Sequence, residues 1–76
     1  MVSPTQIKMA RAGLGISVRV LAERSKVAES TIHRFEANKG GMHASTLDRL
    51  TSALEAAGAT FVPADAHGGP GVRLKA

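Results

Sequence analysis

The chain has 76 residues, with ten Lys and Arg against six Asp and Glu, so it forms one small basic domain, near the lower size limit for a lone apolar core and suited to an acidic partner such as nucleic acid. The absence of cysteine excludes a disulfide framework and a thiolate metal site. No apolar run reaches the length of a membrane span and the N-terminus lacks a signal peptide's apolar centre, so a cytoplasmic protein with no membrane partner is expected.

Ser3-Pro4-Thr5-Gln6 opens the first helix: a capping Ser, a Pro at the first helical position and a Gln placed to reach back. This helix is predicted to run to about Leu14, with Ile7, Ala10 and Leu14 on one face, and Gly15 ends it. Ser17 can cap a second helix over about Val18 to Ser25, and a third is predicted over about Glu29 to Ala37. Leu21, Ala22, Val27, Ile32 and Phe35 turn these two helices toward each other when the turn falls at Ser25-Lys26. The outward face of the third helix then carries Glu29, Ser30, His33 and Arg34, all able to exchange hydrogen bonds with base edges.

Asn38-Lys39-Gly40-Gly41 reads as a loop, and Ser45-Thr46-Leu47-Asp48 as the start of a fourth helix with Leu47, Leu50, Leu54 and Ala57 at helical spacing. Gly58 stands where a left-handed residue would close it. After Gly58 the pattern changes. Thr60-Phe61-Val62 and Val72-Arg73-Leu74 are β-prone, separated by a Gly- and Pro-rich stretch, and a β-hairpin is the simplest reading. An isolated hairpin is marginal, so these strands are expected to lie on the helical body, to pair with a second copy, or both. Residues 59–76 are read as a dimerisation arm through Phe61, Val62, Val72 and Leu74, and residues 1–58 as the DNA-binding domain.

Counted through Lys39, seven basic residues (Lys8, Arg11, Arg19, Arg24, Lys26, Arg34, Lys39) stand against three acidic ones (Glu23, Glu29, Glu36), which is the whole net excess of four. The positive charge therefore sits on the half that holds the paired helices. No nucleotide fingerprint, paired-carboxylate site or nucleophile-base arrangement can be assembled, so no enzyme and no cofactor are expected. His33 lies one turn before Glu36, but with His43 and His67 on separate loops a tetrahedral zinc site is not expected.

The run LAERSKVAESTIHRFEAN, preceded by a helix carrying Arg11 and followed by STLDRLTSALEAAG, resembles the lambda-repressor-like, or XRE-type, helix-turn-helix family of bacterial and phage transcriptional regulators. The resemblance covers about Thr5 to Gly58 and rests on Leu21-Ala22, Thr31-Ile32, Glu36 and the Thr46-Leu47 to Leu54 segment. It implies an all-α domain, here of about four helices plus the C-terminal β-hairpin, with the third helix in the major groove. It also implies an ion pair between Glu36 and Arg11, whose disruption would cost about 3 to 5 kcal/mol. The expected function is a dimeric repressor on a palindromic operator. The competing expectation is a protein-interaction module, such as an antitoxin or anti-activator, with a regulatory protein as partner.

Three positions depart from the family pattern. Lys26 stands where the turn usually has Gly, at about 1 to 2 kcal/mol of backbone strain. Val18 replaces a Gln that braces the DNA backbone, leaving Ser17 or Arg19 to take over. Ala28 replaces a capping Ser or Thr, a loss of about 1 kcal/mol. Phosphate contacts are expected from Ser17, Arg19, Lys26, Thr31, Lys39 and His43, with Lys8 a further candidate.

Overall fold

The computed structural model describes residues 1–75, so the last residue of the 59–76 arm lies outside the described residues. Four helices, α1 (Pro4–Leu14), α2 (Val18–Ser25), α3 (Glu29–Glu36) and α4 (Ala44–Ala56), precede two strands, β1 (Ala59–Val62) and β2 (Gly71–Leu74).

Local chemistry sets most of the helix ends. At the start of α1 the Ser3 hydroxyl accepts from the Gln6 amide at 3.2 Å, and Gln6 Oε1 accepts from the Ser3 amide at 2.9 Å, a reciprocal capping box. Gly15 closes α1 in the left-handed conformation, with the Ile16 amide reaching back to the Arg11 carbonyl. Ser17 caps α2 by accepting from the Val20 amide. Lys26 ends α2 at φ 61°, ψ 31°, the strained geometry expected from the missing Gly. Helix α3 stops at Glu36, one residue short of the sequence reading. Its closure is a Schellman motif with Asn38 at φ 58° in the left-handed position and the amides of Asn38 and Lys39 on the carbonyls of Phe35 and Arg34.

Helix α4 begins earlier than Ser45. Its N-cap is His43, in extended conformation and with no side-chain capping bond, so the polar run Ser45-Thr46 lies inside the first turn. At the other end Gly58, at φ 117°, turns the chain into β1 directly after the helix.

The core is continuous across all four helices. Ile7, Leu21, Ile32, Leu50 and Leu54 are fully buried, and Phe35, Val27, Val18 and Leu47 close around them. Ser25 is buried beside them without penalty, since its hydroxyl donates to the Leu21 carbonyl at 2.7 Å and accepts from the Val27 amide at 3.3 Å.

The strands form an antiparallel hairpin in which Ala59 pairs with Leu74 and Phe61 with Val72. Ala59, Phe61, Val72 and Leu74 therefore share one face. That face lies on the helical body, with β2 mainly over α1 and β1 over α4. Phe61 and Val72 pack against the core, whereas Leu74 stays 41% exposed and rests over Gly13, whose absent Cβ would fall 2.9 Å from Leu74 Cδ1. Gln6 ties down the loop end of the hairpin. Its buried Nε2 donates to the carbonyls of Val62 and Gly71 at 3.2 and 3.0 Å.

Candidate nucleic-acid interface

Helix α3 has two unlike sides. Ile32 and Phe35 are buried, Thr31 and Glu36 are half-buried, and Glu29, Ser30, His33 and Arg34 are exposed. The four residues read from the sequence as base-reading thus share one solvent face, which follows from their spacing at i, i+1, i+4 and i+5. Arg34 sits in the last turn. Its guanidinium lies beside the following loop, 3.4 Å from where a Cβ on Gly40 would stand. At the opposite end, Glu29 places an acidic charge in the first turn, where the helix dipole favours it.

The back of α3 is locked to α1. Arg11 Nε and Nη2 donate to Glu36 Oε2 and Oε1 at 2.9 and 2.8 Å, a bidentate pair, while Arg11 Nη1 donates to the Ile16 carbonyl at 3.2 Å. One guanidinium thus fixes the end of α3 and the α1–α2 connection together. The hydrogen bonds that Arg11 donates to Glu36 raise its pKa above the ordinary value and outweigh the burial that lowers it. Raised from an already basic level, Arg11 stays charged throughout the physiological range.

The phosphate candidates fall into three groups. Ser17 and Arg19 lie at the exposed start of α2, where the Ser17 hydroxyl already accepts from Val20 and Arg19 leans on Glu23 at 3.6 Å. Val18 is buried and offers no donor there. Lys39 stands alone and exposed in the loop after α3, and Lys8 is exposed on α1. Lys26 and Thr31, with His43 from the loop before α4, line one concavity of about 360 Å³ between the starts of α3 and α4, together with Thr46 and Arg49. No carboxylate lines it, and both helices that begin there lack a side-chain cap.

Sequence reading missed Thr46 and Arg49. They sit three residues apart on α4, so they share a helix flank, but only the packing of α4 beside the α2–α3 turn brings that flank to the start of α3. Among the described residues no three His, Cys, Asp or Glu side chains gather in a way that could hold a metal ion. No helix among them is long and apolar enough to cross a membrane.

Four helices, a tight left-handed turn between α2 and α3, and a polar outward face on α3 together describe a known unit, and a helix-turn-helix domain profile matches residues 5–61, three quarters of the chain. The chain belongs to the helix-turn-helix domain family. No characterised protein matches it by sequence. The matched segment runs through all four helices and into β1, so the first strand of the hairpin is continuous with the helix-turn-helix unit. Membership implies DNA as the partner and a DNA-binding regulator as the broad function, in a family that is typically not enzymatic.

Proposed function

We propose that the protein is a sequence-specific transcriptional regulator, a dimeric repressor that occupies a palindromic operator with α3 in the major groove. The observation that carries this reading is the two-sided construction of α3. Ile32, Phe35 and the Arg11–Glu36 pair hold it from behind, and Glu29, Ser30, His33 and Arg34 stand free in front. A rigid helix presenting mixed donors and acceptors suits base reading; a row of lysines would suit nonspecific binding.

In this reading Glu29 accepts from cytosine N4, Arg34 donates to guanine O6 and N7, and Ser30 and His33 add adaptable contacts. Lys26, Thr31, Lys39, His43, Ser17 and Arg19 set the register on phosphates. The hairpin supports dimerisation because a two-stranded sheet leaves an unpaired outer edge on each strand. Leu74 at 41% exposure and Met9 at 44%, one turn from Gly13 on α1, lie on the β2 side of the body. The repressor mechanism is occupancy of a promoter.

A contrast of two variants tests the assignment. Arg34→Ala should flatten the preference between a duplex enriched by the protein from a random pool and its shuffled counterpart, by about 1 to 3 kcal/mol. Lys39→Ala should weaken both duplexes alike and make the salt dependence shallower. Equal losses on both duplexes for Arg34→Ala would remove it from base reading.

A further inference from the structure

One strand of the hairpin has a free and accessible edge. The Lys75 amide donates to the Gly58 carbonyl at 2.9 Å, and the pairing runs on from there as Ala59 with Leu74 and Thr60 with Arg73. Bonding alternates along an antiparallel pair, so the backbone groups of Arg73 and Lys75 face β1, and the amides and carbonyls of Val72 and Leu74 face away from it. Among the described residues no helix or loop backbone group bonds these outward groups. The outer edge of β1 is covered where Ala59 is buried, whereas the chain is half-buried at Val72 and exposed from Arg73 to Lys75. The accessible edge is therefore that of β2.

The floor beside this edge is apolar and its rim is basic. Met9, Ala12 and Gly13 are exposed on α1, Met9 lies one turn before Gly13, and Leu74 rests over Gly13. Arg73 and Lys75 point to the opposite face of the strand from Val72 and Leu74, and among the described residues neither is in a salt bridge. No carboxylate stands on α1 or β2, since Glu55 belongs to α4 and Asp65 to the hairpin tip. A second copy of β2 suits such an edge poorly. About a twofold axis, pairing centred on Arg73 sets two arginines opposite each other, and pairing centred on Leu74 sets Arg73 opposite Lys75. Centred on Val72, it sets Leu74 opposite Pro70, which has no amide to donate.

We infer that the β2 edge takes an extended segment of another protein in which apolar residues alternate with carboxylates. Added as a third strand, this segment bonds the Val72 and Leu74 backbone, lays its apolar side chains over Met9 and Ala12, and sets its carboxylates beside Arg73 and Lys75. A nucleic-acid backbone would use the two cations but neither the strand edge nor Met9, so a peptide fits more of the surface. The inference goes beyond the DNA-binding reading and does not depend on it. Once filled, the edge is closed to a second copy, so such a partner competes with any dimer formed through β2.

A labelled peptide alternating Val with Glu, and a counterpart alternating Val with Lys, titrated into the full chain and followed by anisotropy and by hydrogen exchange at the Val72 and Leu74 amides, test this. The acidic peptide should bind saturably and about fivefold or more tighter than the basic one, and it should slow exchange at both amides. Arg73→Glu and Lys75→Glu, both at exposed outward positions, should melt as wild type does and bring the two peptides level or reverse their order. No saturable binding of the acidic peptide, equal binding of the two peptides by wild type, or binding that leaves these amides exchanging freely would overturn the inference. Protection of the same amides in the free protein that grows with its concentration would overturn it in favour of a second copy. Displacement of the acidic peptide by a shuffled duplex, with duplex affinity lowered by Arg73→Glu, would overturn it in favour of nucleic acid.

Discussion

Lys26 shows how a single position can trade stability for surface chemistry. At φ 61° a side chain with a Cβ is strained, and Gly would relieve that strain, though Gly also loses more conformational freedom on folding. Lys26→Gly should raise the melting temperature by a few degrees, on the order of 1 kcal/mol at this chain length, while weakening DNA binding on every sequence. A lower melting temperature would mean that the lysine makes stabilising contacts of its own. Arg11 is the opposite case, a polar residue that supports the fold. Its side chain is only 20% exposed and that of Glu36 8%, so Arg11→Ala strands a mostly buried carboxylate and an unpaired Ile16 carbonyl. The expected loss is about 3 kcal/mol; a variant melting no lower than wild type would contradict it. Arg11→Lys should lie between the two, because an ammonium cannot make the bidentate contact.

At the scale of elements, the ends of α1 and α2 were legible because their signals are local. Ser3, Pro4, Gly15 and Ser17 each act within a few residues of themselves, as does Gln6 in its capping bond to Ser3. The start of α4 was not. His43 caps it without a side-chain bond, so no residue type marks the boundary, and the helix begins at Ala44, one residue before the Ser45 start read from the sequence. The strands were each legible to within one residue, and they lie on the helical body, one of the placements expected for them, but the part Gln6 plays in that attachment was not legible. Within α1 this residue looks like half of a capping box. Its Nε2 also holds the carbonyls of Val62 and Gly71, 56 and 65 residues away, and no local pattern announces that. Gln6→Ala removes both bonds together and should loosen the hairpin from α1 at a cost of about 1 to 3 kcal/mol. Hydrogen exchange should then accelerate at the strand amides and leave α2 and α3 protected; uniform acceleration would show that hairpin and helices unfold as one unit.

For the molecule as a whole, the candidate site divides by how its parts are assembled. The outward face of α3 follows from helical periodicity, so Glu29, Ser30, His33 and Arg34 could be grouped from sequence alone. The Lys26–Thr31–His43–Thr46–Arg49 concavity exists only because α4 packs beside the α2–α3 turn, and Arg49 therefore carried no signal of its own. The hairpin lies over α1 and α4, and the radius of gyration of 11.6 Å is close to the ~11 Å of a compact chain this long, so the dimer proposed here joins two already compact bodies. Two such bodies on one operator should select an inverted repeat with half-sites about 34 Å apart. The most direct test of the central claim is the affinity of wild-type protein, at physiological salt, for a duplex enriched from a random pool against a shuffled duplex of equal composition. A preference of about a thousandfold or more is predicted. Weak, equal binding to both would contradict sequence-specific reading by α3.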